Sequence, residues 1–269
     1  MIDNTFEYTG EVAIDAKTAS ETCQIVLHAD FSTVTIDTLF VEVNGVNAEI
    51  TFDLNLEKNL IRISTPFPLK INSTINVLIQ FKVRVPTGTD GFYLAYFDDK
   101  DSKERKYLLS TQFESTGARM AFPCFDEPHM KATFDFSMSF KDFDGEYTAI
   151  FNTGVKSSTS QNGVVTNVYD RTMIMPTYLL AMLVSPFHTE NKAISAKGVT
   201  VRILGRNEWK DEAQFALDES VAIVDAMSEK FGFNYCDAFD GQCKSDQAGI
   251  PQFGAGAMEN WGLITYRCG

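Results

Sequence analysis

Basic residues are in short supply. Against 36 Asp and Glu the chain sets only 23 Lys and Arg, a formal net charge of −13 over 269 residues. Phosphate backbones need clustered Lys and Arg, so this balance excludes nucleic acid as a partner. Long apolar runs are missing as well: no stretch reaches the span of a bilayer, and the first residues lack the charged-then-apolar layout of a signal peptide. The polypeptide as written is expected to be soluble, without a membrane segment. Five cysteines (Cys23, Cys124, Cys236, Cys243 and Cys268) are too few for a disulfide scaffold, and their odd number leaves at least one unpaired within the chain. Cys236 and Cys243 bracket a polar loop, a spacing that suits a small disulfide ring or two free thiols equally. The sequon Asn72-Ser73-Thr74 stands alone, and a tripeptide of that kind often arises by chance. Internal repeats and low-complexity tracts are absent.

What is present is ample apolar material, 44% of residues, laid out with a period of two. Ile75, Val77, Ile79, Phe81, Val83 and Val85 alternate with Asn76, Leu78, Gln80, Lys82 and Arg84, as a strand with one buried face requires. Ala132, Phe134, Phe136, Met138 and Phe140 alternate in the same way. Further β-rich runs cover Thr22 to Leu27, Val34 to Val43, Leu60 to Ile63 and Met173 to Val184. Turn signals fall between them at Asn44-Gly45, Asp90-Gly91, Asp144-Gly145 and Asn162-Gly163, and Lys156 to Asn162 reads as a polar loop. These patterns predict a mainly β chain whose residues 1–188 form a sandwich or saddle-shaped set of sheets. Past about residue 205 the period changes. Leu217, Val221, Val224 and Phe231 recur at helical spacing, with Asp211 and Glu212 in the first turn and Lys230 and Gly232 at the end. One amphipathic helix is predicted, packed on a new sheet within residues 189–269, the boundary lying near residue 189.

Two segments carry chemistry. The first runs Thr111-Gln112-Phe113-Glu114, Gly117-Ala118-Arg119, then Ala121-Phe122-Pro123-Cys124-Phe125-Asp126-Glu127-Pro128; the second is Pro251-Gln252-Phe253 leading into Gly256-Ala257-Met258-Glu259-Asn260-Trp261-Gly262. Either alone is compatible with plain packing. Together, and in this order, they resemble the aminopeptidase N family of gluzincin metallopeptidases. The resemblance extends through Gly91-Phe92-Tyr93, Lys131-Ala132-Thr133-Phe134, Pro176-Thr177-Tyr178-Leu179-Leu180-Ala181 and Lys244-Ser245-Asp246-Gln247.

The resemblance implies a saddle-like β domain followed by the start of an α/β thermolysin-like catalytic domain. It implies removal of amino-terminal residues from peptides, whose free amino termini are the partner. Carboxylates are the natural partners for an α-ammonium group, and two compensate its lost hydration better than one. By resemblance Glu259 and Glu114 supply this clamp, and Gln112 lies beside the first side-chain pocket. Gly256 and Ala257 offer main-chain groups to an extended substrate, with Met258 and Asn260 in the same binding segment. Arg119 with Asp126 and Glu127 reads as a scaffold ion-pair network, Trp261 as packing, and Phe122, Cys124 and Phe125 as buried support.

The family's cofactor is zinc, held by a helix bearing His-Glu-x-x-His and a distant Glu. The three histidines here, His28, His129 and His188, are not followed by Glu and form no such pair, so no catalytic or metal residue is assigned. Each reads as a structural or surface histidine. Both ends are expected to cut through a fold, as in a fragment, an incomplete gene model or a short natural product. A catalytically inactive relative acting as a peptide-binding module is the alternative. Ser115 and Gly117 depart from the family pattern and loosen the segment that carries Glu114. The stretch between Tyr235 and Lys244 is longer than the family's usual connection. Compartment and oligomeric state stay open, the sequon and loop cysteines leaning toward an extracellular setting.

Overall fold

The computed structural model describes residues 6–142, 145–187 and 191–268. Alternation decides its first layers. The strands are β1 (Glu7–Lys17), β2 (Thr22–His28), β3 (Val34–Val43), β4 (Val46–Asn47), β5 (Thr51–Asn55), β6 (Leu60–Leu69) and β7 (Thr74–Arg84). Antiparallel sheets in the orders β1-β7-β3-β4 and β2-β6-β5 pack face to face. Ile75, Val77, Ile79, Phe81 and Val83 of β7 point inward and meet Ile25, Leu27, Ile61 and Ile63 of the other sheet. Burial of such side chains stabilises the fold by roughly 1.5–3 kcal/mol each. Asn44 and Gly45, both with positive φ, make the tight turn from β3 to β4 that their dipeptide predicts.

The middle of the chain adds β8 (Gly91–Asp98), β9 (Arg105–Gln112), β10 (Ser137–Lys141), β11 (Thr148–Phe151), β12 (Val155–Gln161), β13 (Val164–Tyr169) and β14 (Met182–Ser185). These pair as β11-β14-β9-β8 and β10-β13-β12. Three expectations change here. The alternation from Ala132 to Phe140 becomes a strand only from Ser137, because the Thr172 hydroxyl takes the Phe134 amide out of the ladder. The polar run from Lys156 is strand β12, not a loop. Every residue of β12 is exposed at a sheet edge, so no apolar period could announce it. Of the run Met173 to Val184, only the end is strand. Asn152 captures the Leu179 carbonyl and the Ala181 amide, which bends the chain through a short 3-10 turn at Thr177–Leu179. Gly91, with φ +77, opens β8 rather than closing a hairpin, and Asp144 lies outside the described residues.

The last part contains β15 (Lys192–Ile194), β16 (Thr200–Leu204), α1 (Ala213–Phe231), β17 (Lys244–Ile250), β18 (Ala257–Met258) and β19 (Leu263–Arg267). The sheet order is β15-β16-β17-β19-β18, with β16, β17 and β19 parallel and β18 an antiparallel edge. Helix α1 lays Leu217, Val221 and Val224 on Val199 and Val201. Phe231 does not join them: it is 71% exposed, on a second apolar stripe with Phe215, Ile223 and Met227. Asp211 and Glu212 precede the first helical residue, and Gly232 ends the helix in the left-handed region. The boundary expected near residue 189, and His188 with it, lie outside the described residues. One apolar core joins what lies on either side: Phe113, Phe151 and Leu183 share it with Leu204, Ile250, Phe253, Met258 and Leu263.

Candidate functional site

Gln112 is the last residue of β9 and pairs with Gly91 across the β8–β9 ladder. Cross-strand partners and residues two apart share a face, so Tyr93, Ser110 and Gln112 line one side of this pair. The Tyr93 and Ser110 hydroxyls are buried facing each other, and the Gln112 Oε1 is buried without a hydrogen-bond partner among the described residues. Phe113 follows in the core, and the chain then turns outward at Glu114, whose side chain is exposed. The peptide bond between Glu114 and Ser115 is cis.

The turn beyond Glu114 is held by Asp126, which is 1% exposed. Its Oδ2 accepts from the Arg119 Nε at 2.9 Å and the Arg119 amide at 3.2 Å; its Oδ1 accepts from the Thr177 hydroxyl at 2.7 Å. Arg119 and Asp126 are thus the scaffold pair expected of them. Glu127 is not part of it and faces His28 instead, with Nε2 3.5 Å from its carboxylate. His28 Nδ1 accepts the Asp126 amide at 3.3 Å. Burial and the nearby Arg119 lower the His28 pKa, against the pull of Glu127 and Asp126. Cys124 is buried as expected, while Phe122 and Phe125 are half-buried against the two apolar cores.

The second segment hangs on two basic residues. The Arg267 guanidinium donates to the carbonyls of Phe253 at 3.0 Å, Ala255 at 2.9 Å and Gly254 at 2.7 Å, while its amide donates to Gly256 at 2.9 Å. This gathers four consecutive carbonyls and delivers the chain into β18. There Ala257 pairs with Tyr266 and Met258 with Thr265, and the outer edge of β18 has no neighbour among the described strands. Gly256, Ala257 and Glu259 are exposed; Met258 is buried in the core, and the Asn260 side chain is buried beside Thr265. Side chains therefore alternate across this stretch, anchoring it at Met258 and Asn260 and presenting Glu259.

Lys244 fixes the far end. Its ammonium donates to the carbonyls of Phe151 at 2.7 Å and Gly262 at 2.8 Å and to Asp246 Oδ2 at 2.7 Å, so its three donors meet three acceptors. Arg202 grips the same Asp246 carboxylate with two donors, at 2.6 and 2.5 Å. Burial pulls the Lys244 pKa down. Burial pushes Asp246 up, yet the two cations outweigh it and hold the carboxyl below its usual range. Asn152 adds a second tie, donating to the Trp261 carbonyl at 2.7 Å. The Trp261 ring, expected to pack, is 37% exposed, and the contact that matters is its carbonyl. Gly262 sits at φ +79 so close to Asn152 that a Cβ there would lie 1.8 Å from the Asn152 oxygen.

The two segments thus meet through neighbours: Phe113, before Glu114, and Met258, before Glu259, belong to one core. The Glu114 and Glu259 side chains are both exposed, and neither makes a hydrogen bond or ion pair with a described residue. Among the described residues no group of three or more His, Cys, Asp or Glu could hold a metal ion. Asn152, Arg202 and Arg267 escape a reading of the sequence because each acts on main-chain or side-chain atoms far along the chain. Cys236 and Cys243 form a disulfide with Cα atoms 5.2 Å apart, closing the loop between α1 and β17.

The model of the peptidase M1 N-terminal domain matches residues 1–179, and that of the peptidase family M1 domain matches residues 215–268. Endoplasmic reticulum aminopeptidase 1 of Rattus norvegicus is 32% identical over 98% of this chain, which covers 28% of that protein. Membrane alanyl aminopeptidase of Manduca sexta is 34% identical over 98% of the chain, covering 27% of its length. Puromycin-sensitive aminopeptidase of Caenorhabditis elegans is 33% identical, also over 98% of the chain and 27% of its own length. The chain therefore spans under a third of these relatives.

Proposed function

Because this chain belongs to the peptidase M1 family, we propose that it forms the part of a zinc metalloaminopeptidase that recognises a substrate's free amino terminus. Glu259 and Glu114 take the α-ammonium group between them, and Gln112 accepts one of its N–H bonds. Gly256 and Ala257 pair with the extended substrate along the open edge of β18, while Met258 and Asn260 contribute main-chain atoms. The observation that carries this reading is the buried Gln112 Oε1 with no partner, two residues before the exposed carboxylate of Glu114. An unmet buried acceptor costs about 1–3 kcal/mol, which a donating ligand offsets. Zinc would supply Lewis-acid and water-activating chemistry in the whole enzyme; nothing in this chain is assigned to hold it.

A second reading treats the chain as a catalytically inactive relative that binds peptides. It draws on the sequence, in which none of the three histidines is followed by Glu. On either reading the purified chain releases no Leu from a chromogenic amide in the presence of zinc. Calorimetric titration with a short peptide and its N-acetylated twin tests the clamp. Binding should be confined to the free amino terminus and vanish in Glu259→Ala; equal binding of both peptides would sink the proposal. As to compartment, no described helix is long and apolar enough to cross a membrane. The disulfide supports an oxidising, extracytoplasmic setting.

A further inference from the structure

The turn between β6 and β7 carries a group that the fold leaves unused. Its backbone is pinned from every side: the Asn72 amide donates to the Thr18 carbonyl at 2.9 Å, and the Ser73 amide donates to the Thr18 hydroxyl at 2.9 Å and the Lys70 carbonyl at 3.1 Å. The Thr18 hydroxyl closes the ring by donating to Lys70 at 2.5 Å. None of these bonds involves the Asn72 side chain, which is exposed at a residue with φ +64. Asparagine tolerates this left-handed conformation, and the tight turn projects its amide into solvent. By contrast Asn44, in the adjoining turn, spends its side-chain oxygen on the Thr74 amide at 3.0 Å. Two further observations bear on Asn72. It opens the chain's single Asn-x-Thr sequon, and the chain carries a disulfide, the mark of an oxidising compartment.

We infer that Asn72 is an N-glycosylation site. In the transfer, the Asn72 amide nitrogen bonds to C1 of the first sugar of a lipid-pyrophosphate-linked oligosaccharide. The C1–O bond breaks, the lipid pyrophosphate leaves with the electron pair, and the nitrogen loses one proton. Ile71, 62% exposed beside it, and Phe67, 78% exposed on β6, offer apolar surface for the sugar rings to cover. The eleven residues of β7 set the glycan about 35 Å from the strand end that leads to Gly91, so the proposed peptide cleft stays clear. This inference does not depend on the peptide-binding reading.

Protein purified from its own source decides it, with the disulfide mapped in the same digest. The peptide containing Asn72 should carry hexosamine and hexose masses, and enzymatic release in heavy-oxygen water should leave labelled Asp at that position. Thr74→Ser should keep the glycan, whereas Thr74→Ala should lose it completely. Asn72→Gln should lose it too, without touching the Thr74 contact to Asn44. An unmodified Asn72 in protein with or without the disulfide, or a glycan that survives Thr74→Ala, overturns the assignment. Peptide titration should give the same result with and without the glycan.

Discussion

The Lys244 ammonium holds the Gly262 carbonyl at 2.8 Å, and by this bond the segment that presents Glu259 is tied to the base of β17. The same nitrogen reaches Phe151 on β11, so one buried charge braces two sheets. Lys244→Met should remove both ties and leave the Asp246 carboxylate to Arg202 alone. Breaking a buried pair of this kind costs about 3–5 kcal/mol, readable as a lower denaturant midpoint at unchanged slope. An unchanged midpoint would refute the bracing role.

Gly262→Ala tests the approach of the same segment to Asn152. The added methyl would fall on the Asn152 carbonyl oxygen in a backbone conformation that disfavours side chains. Overpacking costs about 1–3 kcal/mol, and the left-handed strain adds to it. Thermal melting should drop accordingly, and amide exchange over residues 257–262 should accelerate. A variant as stable as the parent would mean that the segment shifts freely.

Stability should fall on mild acidification because of His28. Its pKa is lowered in the folded state by burial and Arg119, so the unfolded chain binds the proton first. The contribution is complete above the ordinary histidine value of about 6.5 and declines as pH falls toward the lower folded value. Protonation also removes the acceptor for the Asp126 amide. His28→Gln should flatten the profile in this window, and denaturant unfolding at successive pH values measures it.

The Cys236–Cys243 disulfide closes a short loop, for which chain entropy alone gives about 2.5 kcal/mol. Reduction, or the double change to Ser, should lower the melting temperature and loosen α1 and β16 first, since both cysteines pack on that small core. Exchange rates in β7 should stay unchanged. Uniform loosening would argue that the loop supports the whole chain.

Much of the first sandwich was legible because β2, β3, β6 and β7 each bury one face, and a period of two survives in the sequence wherever one side is dry. The exposed edge β12 had no such contrast to display. Phe231 carries the correct helical spacing and still faces solvent, since α1 is apolar on more sides than its small sheet can cover. At the candidate site the motif residues were readable, and the structure places their two segments against one core. Their supports were not. Lys244 and Asp246 look like surface charges, and only tertiary pairing makes them buried. Arg267 acts on four main-chain carbonyls, groups every residue possesses, and so leaves no mark in the residue types.

The continuous core from Phe113 to Met258 has a consequence for any attempt to take the molecule apart. Lys197 lies exposed on a turn before β16, an accessible place for a tryptic nick. The two products should still co-elute as one particle and melt in a single endotherm, because the nick would leave Phe113, Phe151 and Leu183 on one product and Leu204, Ile250, Met258 and Leu263, from the same core, on the other. Only denaturant should part them.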